Sequence, residues 1–354
     1  MSSGSGSKVN KDPQSLLRNG LPPQYITPSD RSSQSLLESV REDAVRKRYT
    51  AAEQSLKKFS QQAKKHPEYG VDGSVLDRVE GGLRGAKEAN RGSVQEDKAR
   101  EEVLGGQGEA MAKFQEYEEG KVPRDYKVDV PSEYGGLARL DGRATVVMTL
   151  EKKDGMPFDI DGTNYPKARM KMVVDGYTSP LTGGNFVELV SDGFYTGMEI
   201  QRSDGFVVQT GDPEGKAEGV VKSGGAEKTL GRGKNGERLL PLEIMLKGDP
   251  GPLYGSTNED EGRGGEATVL PFSAYGAMGW AREEYDANSG SSQFFWLLFD
   301  SDLTPGGKNV LDGRYPCFGY VVEGGEFLRD VREGDVITEA KVVEGLGGLV
   351  RGKD

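Results

Sequence analysis

The sequence predicts an antiparallel all-β barrel preceded by an α-helical module, and three observations carry that prediction. From residue 144 onward, short β-rich runs recur between glycine-rich turns, with one clear helical stretch among them. Between residues 35 and 63, apolar residues instead return at mainly three- and four-residue spacing. Residues 121 to 142 lie between these regions and are broken by Pro and Gly, which marks a linker.

Taken in order, residues 1–30 are rich in Ser, Gly and Pro with few apolar side chains, and are expected to be disordered. A helical bundle module is expected over 31–121. Leu37, Val40, Ala44, Tyr49, Ala52, Leu56, Phe59 and Ala63 form one apolar face of a long helix that Pro67 ends. Weaker helical spacing follows at Val75, Val79, Leu83 and Ala86, then at Val94, Val103, Met111, Phe114 and Tyr117. Glycines at 81, 82, 85, 92, 105 and 106 each cost about 1 kcal/mol relative to alanine inside a helix, so these later helices are expected to be short or bent. One amphipathic helix cannot bury its own face, hence a bundle; a partner-bound coiled coil would need a sustained heptad, which is missing.

Residues 122–140 are the linker, 141–346 the β-rich domain and 347–354 a tail. Strand signals open at 144–150 and 168–174. A helix at about 182–192 follows, with Phe186, Leu189 and Val190 inward. Further strands centre on 198–202, 206–209, 242–246, 278–281, 293–299, 316–322 and 336–343.

Composition removes several classes of function. The 354 residues carry 46 Lys and Arg against 57 Asp and Glu, a net charge of −11, which argues against sequence-independent nucleic-acid binding. The lone cysteine, Cys317, cannot form an intramolecular disulfide, and its apolar neighbours predict a buried thiol. The lone histidine, His66, excludes multi-histidine metal sites and argues against Ser-His-Asp or Cys-His catalysis. No run approaches the eighteen or so apolar residues of a membrane span, and residues 1–30 carry neither an apolar signal core nor an arginine-rich amphipathic helix. Residues 231–236, GRGKNG, match G-x-G-x-x-G literally but lack the strand and helix a dinucleotide site needs. Asp159-Ile-Asp161-Gly is too short for a calcium loop, and Asn258-Glu-Asp-Glu261 reads as a solvated loop.

Two stretches are more specific: GFYTGMEIQRSDGFVVQTGDPEG at 193–215, and GSSQFF with VLDGRYPCFG between 290 and 319. Together with GGNFVEL they occur in the order of the cyclophilin signatures, and residues 141 to about 346 resemble that family of peptidyl-prolyl cis-trans isomerases. PSEYGGLARLDGRA, PLEIM, AREE and SGSSQFFWLL are similar to a narrower group, the large thylakoid-lumen cyclophilins with an N-terminal helical module. The resemblance implies a closed eight-stranded barrel capped by two helices, and isomerisation of Xaa-Pro bonds in client proteins. It also implies a chloroplast thylakoid lumen location, which no transit peptide in these residues establishes. Proline-containing protein clients, thylakoid membrane protein complexes among them, are the partners it implies. No cofactor or metal is called for, because the reaction makes and breaks no bond.

Carried over by position, the groove consists of Arg202, Phe206, Val207, Gln209, Ala281, Arg282, Gln293, Phe295, Val310, Leu311 and Tyr315. Arg202, Phe206 and Gln209 take the catalytic places and the others bind substrate. The chemistry explains the residue types. Rotating a prolyl amide crosses about 18–20 kcal/mol, and the twisted nitrogen becomes a better acceptor that a guanidinium can stabilise. Phe206, Phe295 and Leu311 would house the pyrrolidine ring, while Gln209 or Gln293 would hold a carbonyl.

Two registers are open for the cation. Anchoring on GFYTG gives the catalytic arginine as Arg202; anchoring on Phe206 and Gln209 leaves the hairpin one residue short and puts Gln201 there. We favour Arg202, with the deletion in the turn at Ser203–Gly205. The family's methionine, asparagine, tryptophan and histidine are Val207, Arg282, Val310 and Tyr315 here, so weak or lost activity is expected beside retained binding. The alternative is a non-catalytic scaffold or chaperone for photosystem assembly or repair, using the groove and the helical module for binding.

Overall fold

A computed structural model of the chain describes residues 11–212, 238–299 and 309–353. The GRGKNG stretch and the last three residues of QTGDPEG lie outside the described residues. Contacts divide the chain into two compact units, one formed by Leu21–Arg124 and the other by the chain before and after it. The α-helices among the described residues are α1 (Pro13–Asn19), α2 (Pro28–Val45), α3 (Tyr49–Lys65), α4 (Gly73–Glu88), α5 (Val94–Gly120) and α6 (Pro180–Ser191).

In the helical unit the apolar positions of α2 to α5 share one core containing Leu37, Val40, Leu56, Phe59, Val79, Leu83, Val103 and Phe114. The expected single helix over 35–66 is two helices. Lys47 takes φ 56° and the Arg48 amide returns to the Asp43 carbonyl at 2.7 Å, closing α2 before α3 begins. No Gly or Pro marks this break, so the apolar spacing ran through it unnoticed. The second departure is α5, which runs for 27 residues despite its glycines. A Cβ on Gly106 would stand 2.6 Å from Val79 Cγ2, and one on Gly82 2.9 Å from Val103 Cγ2. These glycines let α4 and α5 approach closely, and that contact offsets their poor helix propensity.

The second unit holds an eight-stranded antiparallel sheet: β1 (Arg143–Glu151), β2 (Ala168–Asp175), β3 (Ile200–Ser203), β4 (Val207–Thr210), β5 (Ala277–Trp280), β6 (Phe294–Leu297), β7 (Cys317–Glu323) and β8 (Val336–Glu344). Its order is β8-β1-β2-β7-β5-β6-β4-β3. The sheet curls so that its ends meet: Glu199 bridges Val336, and the Ile200 amide donates to the Asp335 carbonyl at 2.8 Å. Period-two alternation turns Phe294 and Trp296 into a core with Phe186, Val208, Met278, Trp280 and Phe318. Trp280 and Trp296 are core aromatics as expected. Phe295 and Leu297 face the other way, into a second cluster with Val207, Phe272 and Tyr320.

One expectation needs correction here. Within the segment expected to be disordered, α1 is ordered: Leu16 and Leu17 are buried in that second cluster, and Arg143 donates to the Leu17 carbonyl while its Nε reaches Asp175 at 2.6 Å. Two leucines in a short helix are enough once a complementary sheet face exists, which polar composition does not reveal. Leu349–Val350, in the expected tail, pairs with Arg139–Leu140, in the expected linker. Of the two capping helices expected, α6 is an α-helix; the later helical turn Gly325–Arg329 is a five-residue 3₁₀ segment.

The start of α6 is capped from a distance. Ser179 makes no side-chain cap bond, and the buried Glu243 accepts the Leu181 and Thr182 amides at 3.0 and 2.8 Å. Burial pushes the Glu243 carboxyl up to about 7, although both amides favour its ionised form. With a folded value above the ordinary 4.5, its stabilising contribution is complete below about pH 4.5 and is lost as pH rises through 7. Glu243→Gln is therefore expected to leave stability near wild type at pH 5 and to raise it at pH 8, by about 3 kcal/mol at most, in denaturant unfolding. A wild-type-to-variant gap that stays constant between those pH values would contradict this assignment.

Candidate functional site

The site is built on a single row of cross-strand partners. Arg202 on β3 faces Gln209 on β4, Gln209 faces Phe295 on β6, and Phe295 faces Gly279 on β5. Directly opposed residues share a face of the sheet, so the row presents its side chains together on the surface away from the core. A bulge between Ile200 and Arg202 sets this register. It displaces Gln201, whose amide pairs with the Asp212 backbone instead, with Nε2 to the carbonyl at 2.9 Å.

A cleft of about 600 Å³ lies over the row, lined by Arg202, Phe206, Val207, Gln209, Ala281, Arg282, Phe295, Val310, Leu311 and Tyr315. Gln293 joins it indirectly, its Oε1 accepting from Gln209 Nε2 at 2.8 Å. Ten of the eleven residues expected in the groove line this cleft, and Gln293 reaches it only through Gln209. The floor is Phe295, which is 5% exposed, stacked on Phe272 at 5.8 Å and met edge-on by Tyr315 at 6.0 Å. Gly279 makes room for that ring, because a Cβ there would enter the Phe295 side chain. Phe206 is 58% exposed at the mouth, and Val310 is 72% exposed on the opposite wall.

The hairpin that carries the cation is tight. Gly205 takes φ 84°, and Asp204 Oδ1 accepts the amides of Phe206 and Val207 at 3.0 and 3.1 Å. The other Asp204 oxygen receives Arg202 Nε at 2.6 Å. Burial acts to raise the Asp204 carboxyl, but these hydrogen bonds outweigh it and the net shift is downward. Arg202 is 54% exposed on its side chain and stands at the cleft rim, ion-paired to its own turn.

Several supporting residues had no sequence signal. Phe299 lines the cleft and stacks on Phe206 at 5.4 Å; Leu297 and Asn309 also line it. The wall from 309 to 315 is fixed by Asp312, which accepts the Phe272 amide at 2.7 Å and the Asn309 amide at 3.2 Å. Asn258, expected in a solvated loop, is instead buried against Gly313, and its amide donates to the Gly313 carbonyl at 3.1 Å. Cys317 is buried behind the cleft, and burial pushes its thiol up, so it is no nucleophile.

An apolar floor, a paired amide and an arginine in one open trench on an antiparallel sheet are the features expected of the prolyl-isomerase class. A model of the family described as "Cyclophilin type peptidyl-prolyl cis-trans isomerase/CLD" matches residues 158–346. Relatives extend that match over most of the chain. The chloroplastic peptidyl-prolyl cis-trans isomerase CYP38 of Arabidopsis thaliana is 40% identical over 96% of this chain and 75% of its own length. A Synechocystis protein named as a thylakoid lumen peptidyl-prolyl cis-trans isomerase is 37% identical over 96% of this chain and 84% of its own. The chloroplastic isomerase CYP37 of Arabidopsis thaliana is 36% identical over 62% of this chain and 44% of its own. The chain belongs to the cyclophilin-type peptidyl-prolyl cis-trans isomerases.

Gly279→Ala tests the floor. Forcing a methyl group into the Phe295 ring is expected to cost about 1–3 kcal/mol and to tilt that ring into the cleft. Thermal unfolding should report the loss, and affinity for a proline-containing peptide should fall with it; unchanged affinity in a folded variant would mean that Phe295 is not the floor.

Proposed function

We propose that the cleft isomerises Xaa-Pro bonds with Arg202 as the group that stabilises the twisted prolyl nitrogen. The observation carrying this reading is the cross-strand row that brings Arg202, Gln209 and Phe295 onto one face. Phe295, Val207 and Leu311 offer the pyrrolidine ring a dry seat, with Phe206 closing over it from the hairpin. The Gln209–Gln293 pair keeps a carbonyl oxygen and an amide NH₂ with which to meet a peptide backbone. A guanidinium that interacts better with the twisted amide than with the planar one lowers the barrier by differential binding. Its pairing with Asp204 offsets part of the charge, so turnover is slow relative to a site with a free arginine.

The same reading closes the sheet into a barrel where β3 meets β8. It assigns the catalytic unit to residues 141–346 and treats the helical unit as a separate module. The names of the relatives support a chloroplast thylakoid lumen location; proline-bearing segments of thylakoid membrane protein complexes are the clients this reading expects.

Exchange spectroscopy on a proline tetrapeptide tests the assignment. The wild type is expected to accelerate the uncatalysed interconversion, which takes tens of seconds. Arg202→Ala is expected to lower that acceleration by about 10²–10³-fold, the loss typical of a charge-stabilising donor, with an unchanged melting temperature. Equal turnover by both proteins would remove Arg202 from the mechanism, and no acceleration by the wild type would favour a binding scaffold.

A further inference from the structure

At the end of the cleft away from the hairpin, Arg282 is held by the backbone. Its Nε donates to the Arg314 carbonyl at 2.8 Å, and Nη1 donates to the carbonyls of Glu283 and Glu284 at 2.7 and 3.1 Å. Its guanidinium lies over the Tyr315 ring, 4.8 Å from the centroid. Three of its five N–H groups are thus used, all on carbonyl dipoles, and the two on Nη2 have no acceptor among the described residues.

This differs from the other arginines around the cleft. Arg202 is paired with Asp204, and Arg314 Nη2 donates to both Glu259 carboxylate oxygens at 2.9 Å. Arg282 has no carboxylate within ion-pair distance among the described residues; Asp260, the carboxyl that feels its charge, is engaged by Thr257. A guanidinium fixed by carbonyls and a ring loses little side-chain entropy when it captures an anion, and its remaining NH₂ edge suits a carboxylate.

We infer that Arg282 makes the groove selective for Xaa-Pro segments with an acidic side chain flanking the proline. The inference rests on the isomerase reading of the cleft and names its substrate class. The aromatic stack beneath the guanidinium keeps it from collapsing toward the Phe295 floor, so charge recognition and the apolar seat stay separate. An acidic residue two or three positions from the ring would reach Nη2 while the proline occupies its seat.

Paired peptides carrying Glu or its isostere Gln at each position flanking one proline test this, with kcat/KM from exchange spectroscopy and Kd from titration. The wild type is expected to prefer Glu over Gln by about 3–10-fold at one flank, the range of a partly exposed charge pair, and to lose most of that preference at 0.5 M salt. Arg282→Gln should bring the ratio to near one whatever its overall rate, and Arg282→Lys should keep part of it, because charge rather than wall shape is read. Equal handling of Glu and Gln peptides by a wild type that turns both over would overturn this inference while leaving the isomerase reading standing. So would a preference that persists in Arg282→Gln. A wild type that neither binds nor turns over any of the peptides would instead overturn the isomerase reading itself.

Discussion

One extra residue in a strand decides which side chains this molecule brings to the cleft. Because side chains alternate along β3, Arg202 faces the cleft only if the register to β4 is advanced by one, and the bulge at Gln201 supplies that step. Without it, Arg202 would exchange faces with Gln201 and the outward row would lose its cation. The row then continues through Gln209 and Phe295 to Gly279, so a single line of backbone pairing fixes cation, amide and apolar floor at once. Rigid strands place these groups more accurately than loops could.

The rest of the β-rich unit serves that row. The inner face of β6 is anchored by Phe294, whose ring packs on both Phe186 and Trp296. Behind the floor, Phe272 supports Phe295, and Asp312 ties the amide of Phe272 to the wall that carries Leu311 and Tyr315. The buried Asn258 and the glycine at 313 fit one another, which lets that wall turn sharply beside the cleft. Polar groups therefore position the wall, while apolar groups form the seat. This division keeps desolvated charge away from the apolar floor of the cleft.

The altered groove positions change its character more than its shape. Val310 leaves a low wall, Phe299 adds a second ring beside Phe206, and Arg282 is drawn onto Tyr315. Arg282 thus forms part of the wall with its charge facing the trench, and does not obstruct it. The Asp204 partner of Arg202 serves two roles, closing the shortened turn through its amide bonds and tempering the arginine. A tight turn and a paired cation thus share one carboxylate.

The residues alone determined the broad architecture, since periodicity of two or of three to four reflects which faces must be buried, and burial is a local property of pattern. They also pointed to ten of the residues that line the cleft, because those residues sit in short contiguous motifs. What needed the tertiary structure was every feature set by a distant partner. The break at Lys47 lacks any Gly or Pro, yet the Lys47 ammonium is held by Glu96 of α5 at 2.7 Å. The long α5 tolerates its glycines only because α4 packs on them, and α1 is ordered only because the sheet offers Leu16 and Leu17 a surface. Between Arg202 and Gln201 the chain was undecided for the same reason: strand register is a relation between two strands, and either one alone leaves the face of its side chains open.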